Sequence, residues 1–524
     1  LPRRGFPRFL RRRGQQLLLV ALVPALLAGC TAGPSTRPPV VQNDGSVPPR
    51  APSTRPAPLP GLEEPGESAV VWGDCDSETR QRLGRPGVPD TLRFTCAKVT
   101  STLDAPDLPG RGTVRLAVLK VGSGTIPLTV VNDIDGEPGT LFAARLAGAL
   151  PPELLQRFSL IGVDRRGTGQ SDPVRCVPTE VRSQLLDQDP AAADLEPVLD
   201  AARTAGQQCT IELENQQPAL DSWRAAGDLE EVRDQLGMSR LNALSRGEGS
   251  KVLTAYATRF TRQVGRFVLD GIPDPSLDAA TVLDGVAAGA QSALDAFGTD
   301  CAARGCPLGG DARAAVTAVA DRLRAATQTS PDGLPFGPGL ALHAVANGLA
   351  QRERWPELAD ALAAARGGDI GGLAVFVEPM LQDSRQRPSR LDGALATKCN
   401  DTATRLPADQ IGKVAATLRG KYPVFGGLVA QELAWCSPWP VRREALPAIG
   451  APGAPPILVT STAADPVTPE QGTSKAAEQM PSAVQLAWQG AGHGALTGSP
   501  CVTEAVRGFL LDGTVPHDGT LCPA

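Results

Sequence analysis

Histidine is scarce in this chain. Only His343, His493 and His517 occur among 524 residues, too dispersed to suggest a multi-histidine metal site, and neither a metal nor a cofactor is expected. An excess of positive charge is missing too. Lys and Arg number 51 against 56 Asp and Glu, for a net charge of −5, so the basic footprint that nucleic-acid binding needs is absent and no nucleic-acid partner is expected. The apolar run at residues 17–27 is shorter than the roughly 20 residues of a spanning helix. What the chain has in quantity is glycine (56) and proline (49), which make it rich in loops. Its 42% hydrophobic and 20% charged composition suits one large globular body or two closely joined ones.

The first residues read as an address. Arg3, Arg4, Arg8 and Arg11 to Arg13 precede the apolar run, in the order of an export signal. The run ends in Leu27-Ala28-Gly29-Cys30, which resembles a bacterial lipobox, with an ordinary cleaved signal as the alternative. The expectation is a signal peptide at 1–29, a lipidated Cys30, and an extended Pro/Ser-rich tether over 30–68. That places the protein on the outer face of the plasma membrane, held there by its lipid anchor. Without Cys30, ten of the 11 cysteines remain. They lie in sequence-near pairs: Cys75 with Cys96, Cys176 with Cys209, Cys301 with Cys306, Cys399 with Cys436, and Cys501 with Cys522. None has zinc-ligand spacing, spacing alone does not fix connectivity, and an exported chain meets an oxidising compartment. Five local disulfides are expected.

Beyond the tether, continuous apolar segments alternate with helical ones. Residues 114–121, 128–131, 159–164 and 267–270 are strand-like, and 141–150 and 228–236 are helical. Unbroken apolar strands alternating with helices imply a mostly parallel sheet covered on both faces. From about 276 to 446 alanine-rich helical segments take over, and strand character returns at 456–460 and 484–488. The expected architecture is a sheet domain in two parts, 69–275 and 447–524, interrupted by a helical cap at 276–446 that roofs a cleft.

One absence bears directly on chemistry. Residues 241–257 read LNALSRGEGSKVLTAYA: a short apolar strand, a tight turn of small residues, then a helix. This is the frame of a nucleophile elbow, whose strained turn lifts a serine hydroxyl clear of the sheet. Gly247 stands at the nucleophile position. Asp465, in TSTAADPVTP, and His493, in GAGHGAL, follow in the order of a serine triad. Ser245 offers an alternative nucleophile through Ala243-Leu244-Ser245-Arg246-Gly247, at the cost of shifting the elbow by two residues. Ser250 reads as an N-terminal helix residue, and His343 as a helix residue of the cap. Residues 435–440, WCSPWP, read as packing between cap and sheet.

Taken together, IGVDRRGTGQSDPVRC (161–176), the elbow frame, FVLDGIPDP (267–275), CPLG (306–309) and the TSTAADPVTP…GAGHGAL pair resemble actinobacterial tripeptidyl aminopeptidase-like α/β-hydrolases. The resemblance runs from about residue 70 to the end. It implies an α/β-hydrolase fold with an inserted cap, His493 as general base, Asp465 orienting it, and Gly247 in place of the serine. It also implies a glycine-rich N-P-G-G-P-G loop that supplies an oxyanion N–H. Here the loop reads Asn132-Asp133-Ile134-Asp135-Gly136-Glu137-Pro138-Gly139, so Asp135 and Glu137 are expected to oppose a developing oxyanion. Two functions follow from this reading. One is a surface lipoprotein that has lost catalysis and binds a peptide or acyl small-molecule ligand, or a partner. The other is an active serine hydrolase releasing short N-terminal peptides through Ser245, His493 and Asp465.

The membrane expectation has a direct test. Cys30→Ala is expected to release the protein into the medium or to leave an unprocessed precursor, read by fractionation and by the mass of the mature N-terminus. Normal processing with unchanged membrane retention would contradict it.

Overall fold

A computed structural model describes residues 58–84, 87–104, 112–309, 311–331, 333–440 and 450–524. All fall in one compact unit, Thr54–Ala524. Cys30, the signal peptide and residues 30–57 of the tether lie outside the described residues. No described helix is long and apolar enough to cross a membrane.

Ten strands form one sheet: β1 (Gly73–Asp74), β2 (Phe94–Thr102), β3 (Thr113–Val121), β4 (Ile126–Val131), β5 (Phe158–Val163), β6 (Leu241–Arg246), β7 (Val264–Asp270), β8 (Ile457–Ala464), β9 (Ala483–Ala491) and β10 (Thr520–Cys522). Their order is β1-β2-β3-β5-β4-β6-β7-β8-β9-β10. Pairings are antiparallel from β1 to β5 and parallel from β5 onward. This is the α/β-hydrolase fold expected from the sequence.

The apolar runs explain the layering. Successive strand residues point to opposite faces, and here both faces are covered. Ala243, Leu269 and Val459 pack on one side, beneath the helices Ser222–Gln235, Gly249–Arg259 and Glu470–Glu478. Their neighbours Leu244, Val268 and Leu458 pack on the other, beneath Gly139–Ala149 and Pro500–Asp512. The sequence does not signal β2: FTCAKVTST has neither a continuous apolar run nor a strict alternation, ending in three consecutive polar residues, and it pairs antiparallel with β3.

The cap draws on two stretches of chain. Besides the helices from Ala279–Arg304 to Gly426–Cys436, it takes in Thr179–Asp187 and Glu196–Leu213, whose Val181, Leu185, Val198 and Ala202 share one apolar core with Leu283, Leu395 and Leu428. These two helices precede β6, so the cap is wider than a single insertion at 276–446. Buried Asp392 ties the stretches together. It accepts from the Arg182 guanidinium at 2.7 Å and from the backbone N–H of Cys176 and Val177 at 2.9 and 2.8 Å. All five local disulfides are present; closing loops of this size contributes roughly 2–4 kcal/mol each.

The turn after β5 is pinned by a buried ion pair. Arg166 donates to both carboxylate oxygens of Asp228, at 2.7 and 2.6 Å, and to the Ala219 carbonyl at 3.1 Å. Both side chains are 3% exposed. Asp228→Ala strands the guanidinium, and removing one partner of a buried pair costs about 3–5 kcal/mol. Urea denaturation of the oxidised protein is expected to show that loss.

Candidate active site

The elbow forms because Gly247 adopts φ +53, a left-handed conformation that side chains rarely take. It ends β6 and lets Gly249–Arg259 begin two residues later. The Gly247 N–H donates to the Asp270 carbonyl at 2.9 Å, and the Ser250 N–H returns to the Gly247 carbonyl at 3.0 Å.

His493 is held from both sides. Its backbone N–H donates to the Ala350 carbonyl at 2.9 Å. The ring Nδ1 lies 3.0 Å from both Asp465 oxygens. Asp465, 1% exposed, is itself fixed by the N–H groups of Val467 and Thr468 at 2.8 and 2.9 Å. The acid and the histidine thus come together as the sequence implies.

The position facing Nε2 holds a carboxylate. Asp133, from the loop after β4, places Oδ2 2.8 Å from His493 Nε2 and accepts from the Glu248 N–H on Oδ1 at 2.7 Å. A Cβ added at Gly247 would lie 2.0 Å from that Oδ1 and 2.8 Å from His493 Cε1. Asp133 therefore occupies the space of the missing serine and also takes the N–H that an oxyanion would use. Sequence reasoning passed over it because Ile134 and Asp135 were the conspicuous replacements of glycine. Its one signal was a carboxylate directly after Asn132 at the end of a buried strand.

Asp135 and Glu137 are not free to oppose an oxyanion. Asp135 pairs with Lys398 of the cap at 2.7 Å, and Glu137 with Arg145 at 2.9 Å. Ile134 is buried. Ser245 is fully buried within β6, its hydroxyl 2.9 Å from that of Ser250, which donates to the Gly271 carbonyl at 2.5 Å. Neither serine lines the cavity beside His493, so the structure does not bring Ser245 to the base.

The electrostatics follow from this arrangement. Burial alone would push the His493 imidazole below its ordinary 6.5, but the charges of Asp465 and Asp133 and the hydrogen bonds they accept hold it well above. This favours an imidazolium that donates at both nitrogens, one to each carboxylate. Burial also works against the Lys398 ammonium, yet Asp135 and Glu248 raise it well above its usual range.

Over the site lies a cavity of about 1720 Å³ between sheet and cap, lined by Asp133, His493 and Glu248 below and by His343, Lys398 and Trp435 above. It exceeds the roughly 300–1,000 Å³ of ordinary small-molecule pockets. His343 and Trp435 stack with ring centroids 5.9 Å apart, and neither His343 Nε2 nor Trp435 Nε1 has a partner among the described residues. Burial, then Lys398, lowers His343 to about 4, so it is neutral. Trp435 thus faces the cavity, and Trp439 is the WCSPWP tryptophan that packs inside the cap, donating to Asn400 Oδ1 at 2.9 Å. Among the described residues no cluster of His, Cys, Asp and Glu could hold a metal ion.

Comparison with known proteins adds sequence relatives to this geometry. Residues 422–522 match a family described as TAP-like protein. Carboxylesterase B of Mycobacterium tuberculosis is 30% identical over 493 residues, covering 88% of this chain and 92% of that protein. Serine protease Hip1 of the same species is 27% identical, covering 86% and 91%. Tripeptidyl aminopeptidase of Streptomyces lividans is 26% identical, covering 87% of each. Among solved structures, an esterase from Thermogutta terrifontis aligns with a TM-score of 0.36 at 16% identity, over 79% of this chain and 98% of that one.

The imidazolium sets a pH dependence. Below about 6.5 the ring is protonated whether folded or unfolded, and the stabilisation from its two carboxylates is fully present. Above that, unfolding releases a proton, and the stabilisation falls as pH rises through the elevated folded value. Thermal unfolding from pH 6 to 9 is expected to show a decline that Asp133→Ala flattens. Equal slopes in the two proteins would contradict the assignment.

Proposed function

Because the chain belongs to the tripeptidyl aminopeptidase-like α/β-hydrolases, we propose that it is an exported lipoprotein of that family in which serine acyl transfer is lost and the capped cavity binds a peptide-like or acyl ligand. One observation carries this reading: the Asp133 carboxylate sits where the serine hydroxyl belongs, bonded to both the histidine and the Glu248 N–H. Loss of the nucleophile alone costs a well-studied serine protease roughly 10⁶ in turnover. Here the base is also held protonated and the oxyanion donor is taken. The size of the cavity, whose roof includes the His343 and Trp435 rings, supports ligand binding. The basic residues and the apolar run ahead of Cys30 support export and attachment to the outer face of the membrane.

The test is labelling with a serine-directed fluorophosphonate. The wild type is expected to stay unlabelled and to give no burst with tripeptidyl chromogenic substrates. Gly247→Ser alone is expected to stay unlabelled as well, since the new side chain meets the Asp133 carboxylate. Labelling is expected only when Asp133→Gly is combined with it. If the wild type labels, and Ser245→Ala abolishes the label, the serine chemistry is intact and this reading is wrong.

A further inference from the structure

The position of Asp133 has a second consequence, which rests on the loss of serine chemistry proposed above. Its two oxygens are differentiated. Oδ1 accepts from the Glu248 N–H at 2.7 Å, while Oδ2 lies 2.8 Å from His493 Nε2, and the residue lines the cavity. A carboxylate nucleophile needs this pair of neighbours: one oxygen on a fixed N–H, the other beside an imidazole that is itself oriented by an acid. Asp465 supplies that orientation through three hydrogen-bonded backbone N–H groups, those of Val467, Thr468 and Gly494. The geometry points to Asp133 as a carboxylate nucleophile that opens epoxides, with His493 as the acid and then the base of the same cycle.

The substrate class follows from the chemistry of the groups present. A carboxylate attacking an amide or ester carbonyl would exchange a stable bond for a reactive anhydride. A saturated carbon gives instead an ordinary ester. Among saturated electrophiles an epoxide leaves an alkoxide that requires a proton, and the imidazolium holds one next to the attacking oxygen.

The cycle closes without any further reactant than water. Asp133 Oδ2 bonds to a ring carbon as the ring C–O bond breaks, and the departing oxygen takes the Nε2 proton of His493. The ester carries no charge, so the Asp133 contribution that held the imidazole up is gone and His493 becomes a base. It takes a proton from water, whose oxygen bonds to Asp133 Cγ, and the resulting negative charge gathers on Oδ1 against the Glu248 N–H. The Cγ–Oδ2 bond then breaks, the new carboxylic proton passes to the departing diol oxygen, and the carboxylate and imidazolium are restored. The sum is epoxide plus water giving diol. The oxygen delivered by water remains in Asp133.

That last feature is the test. Full-length protein is incubated in oxygen-18 water with styrene oxide, phenyl glycidyl ether and 1,2-epoxydecane in turn, followed by peptide mass spectrometry and diol analysis. The expected result is diol formation with heavy oxygen in the Asp133 peptide, both lost in Asp133→Asn and in His493→Gln, which removes the acid of the first step and the base of the second. The wild-type labelling stands even where a variant fails to fold. No heavy oxygen in Asp133 with any of the three epoxides, or diol formation that survives Asp133→Asn, overturns the proposal and leaves the carboxylate as a plug. Fluorophosphonate labelling of the same protein reports separately on the serine: an unlabelled serine with unlabelled Asp133 removes this inference alone, whereas a labelled serine removes the reading beneath it.

Discussion

The contact between Asp133 and His493 joins the loop after β4 to the loop after β9, 360 residues apart in sequence, and the rest of the site is arranged around it. The loops bring a carboxylate and an imidazole to 2.8 Å, both less than a tenth exposed. Burying such a pair is favourable only when the remaining hydrogen-bonding capacity is satisfied. Here Glu248 supplies one N–H to Asp133, and Asp465 takes the far side of the ring. The result is a carboxylate–imidazolium–carboxylate chain held by backbone on both ends. Gly247 is its geometric condition, since any Cβ there would intrude on Asp133.

The same logic of paired charge extends into the cap. Lys398 descends from the helix Arg390–Asp401 to meet Asp135 at 2.7 Å and stands 4.0 Å from Glu248. The acidic replacements in the oxyanion loop are thereby neutralised from above and become struts between sheet and roof. Arg182 with Asp392 performs a similar task inside the cap. Buried polar atoms without a hydrogen-bond partner among the described residues remain on both sides of the cavity, His343 Nε2 and Trp435 Nε1 in the cap and Asn132 Oδ1 and Glu248 Oε2 at the sheet. Unsatisfied buried polar atoms are costly, so the charge pairing that ties sheet to roof does not extend to every polar group around the cavity.

Much of this was legible from the residues. Strands apolar on both faces, such as Phe158–Val163, announce a covered parallel sheet, and the five disulfides match the pairing of sequence-near cysteines. The order of elbow, acid and histidine in the sequence points to Gly247, Asp465 and His493. Less legible were elements whose character depends on distant partners. The strand Phe94–Thr102 is polar in sequence and is stabilised by its pairing with β3. The helices Thr179–Asp187 and Glu196–Leu213 look like ordinary connections of a βα sheet, and only their shared core with the later helices makes them part of the cap. Asp133 was hidden for the same reason, because its meaning lies in a histidine far along the chain.

Gly247 and Asp133 constrain each other, and this explains why the altered site is stable as a unit. With Asp133 in place, a serine at 247 has no room: its Cβ would fall 2.0 Å from a carboxylate oxygen that is itself hydrogen bonded. With Gly247 in place, removing the Asp133 carboxylate leaves the Glu248 N–H and His493 Nε2 without their acceptor in a site that is largely shielded from water. Stranding a buried donor costs about 1–3 kcal/mol, more where the group is charged. Each residue therefore penalises reversal of the other. Positions in direct contact do not contribute additively, and here the coupling opposes either single change toward a serine facing His493. Placing a serine beside the histidine requires both changes at once, and with them relief of the imidazolium, whose proton is held in part by the same carboxylate.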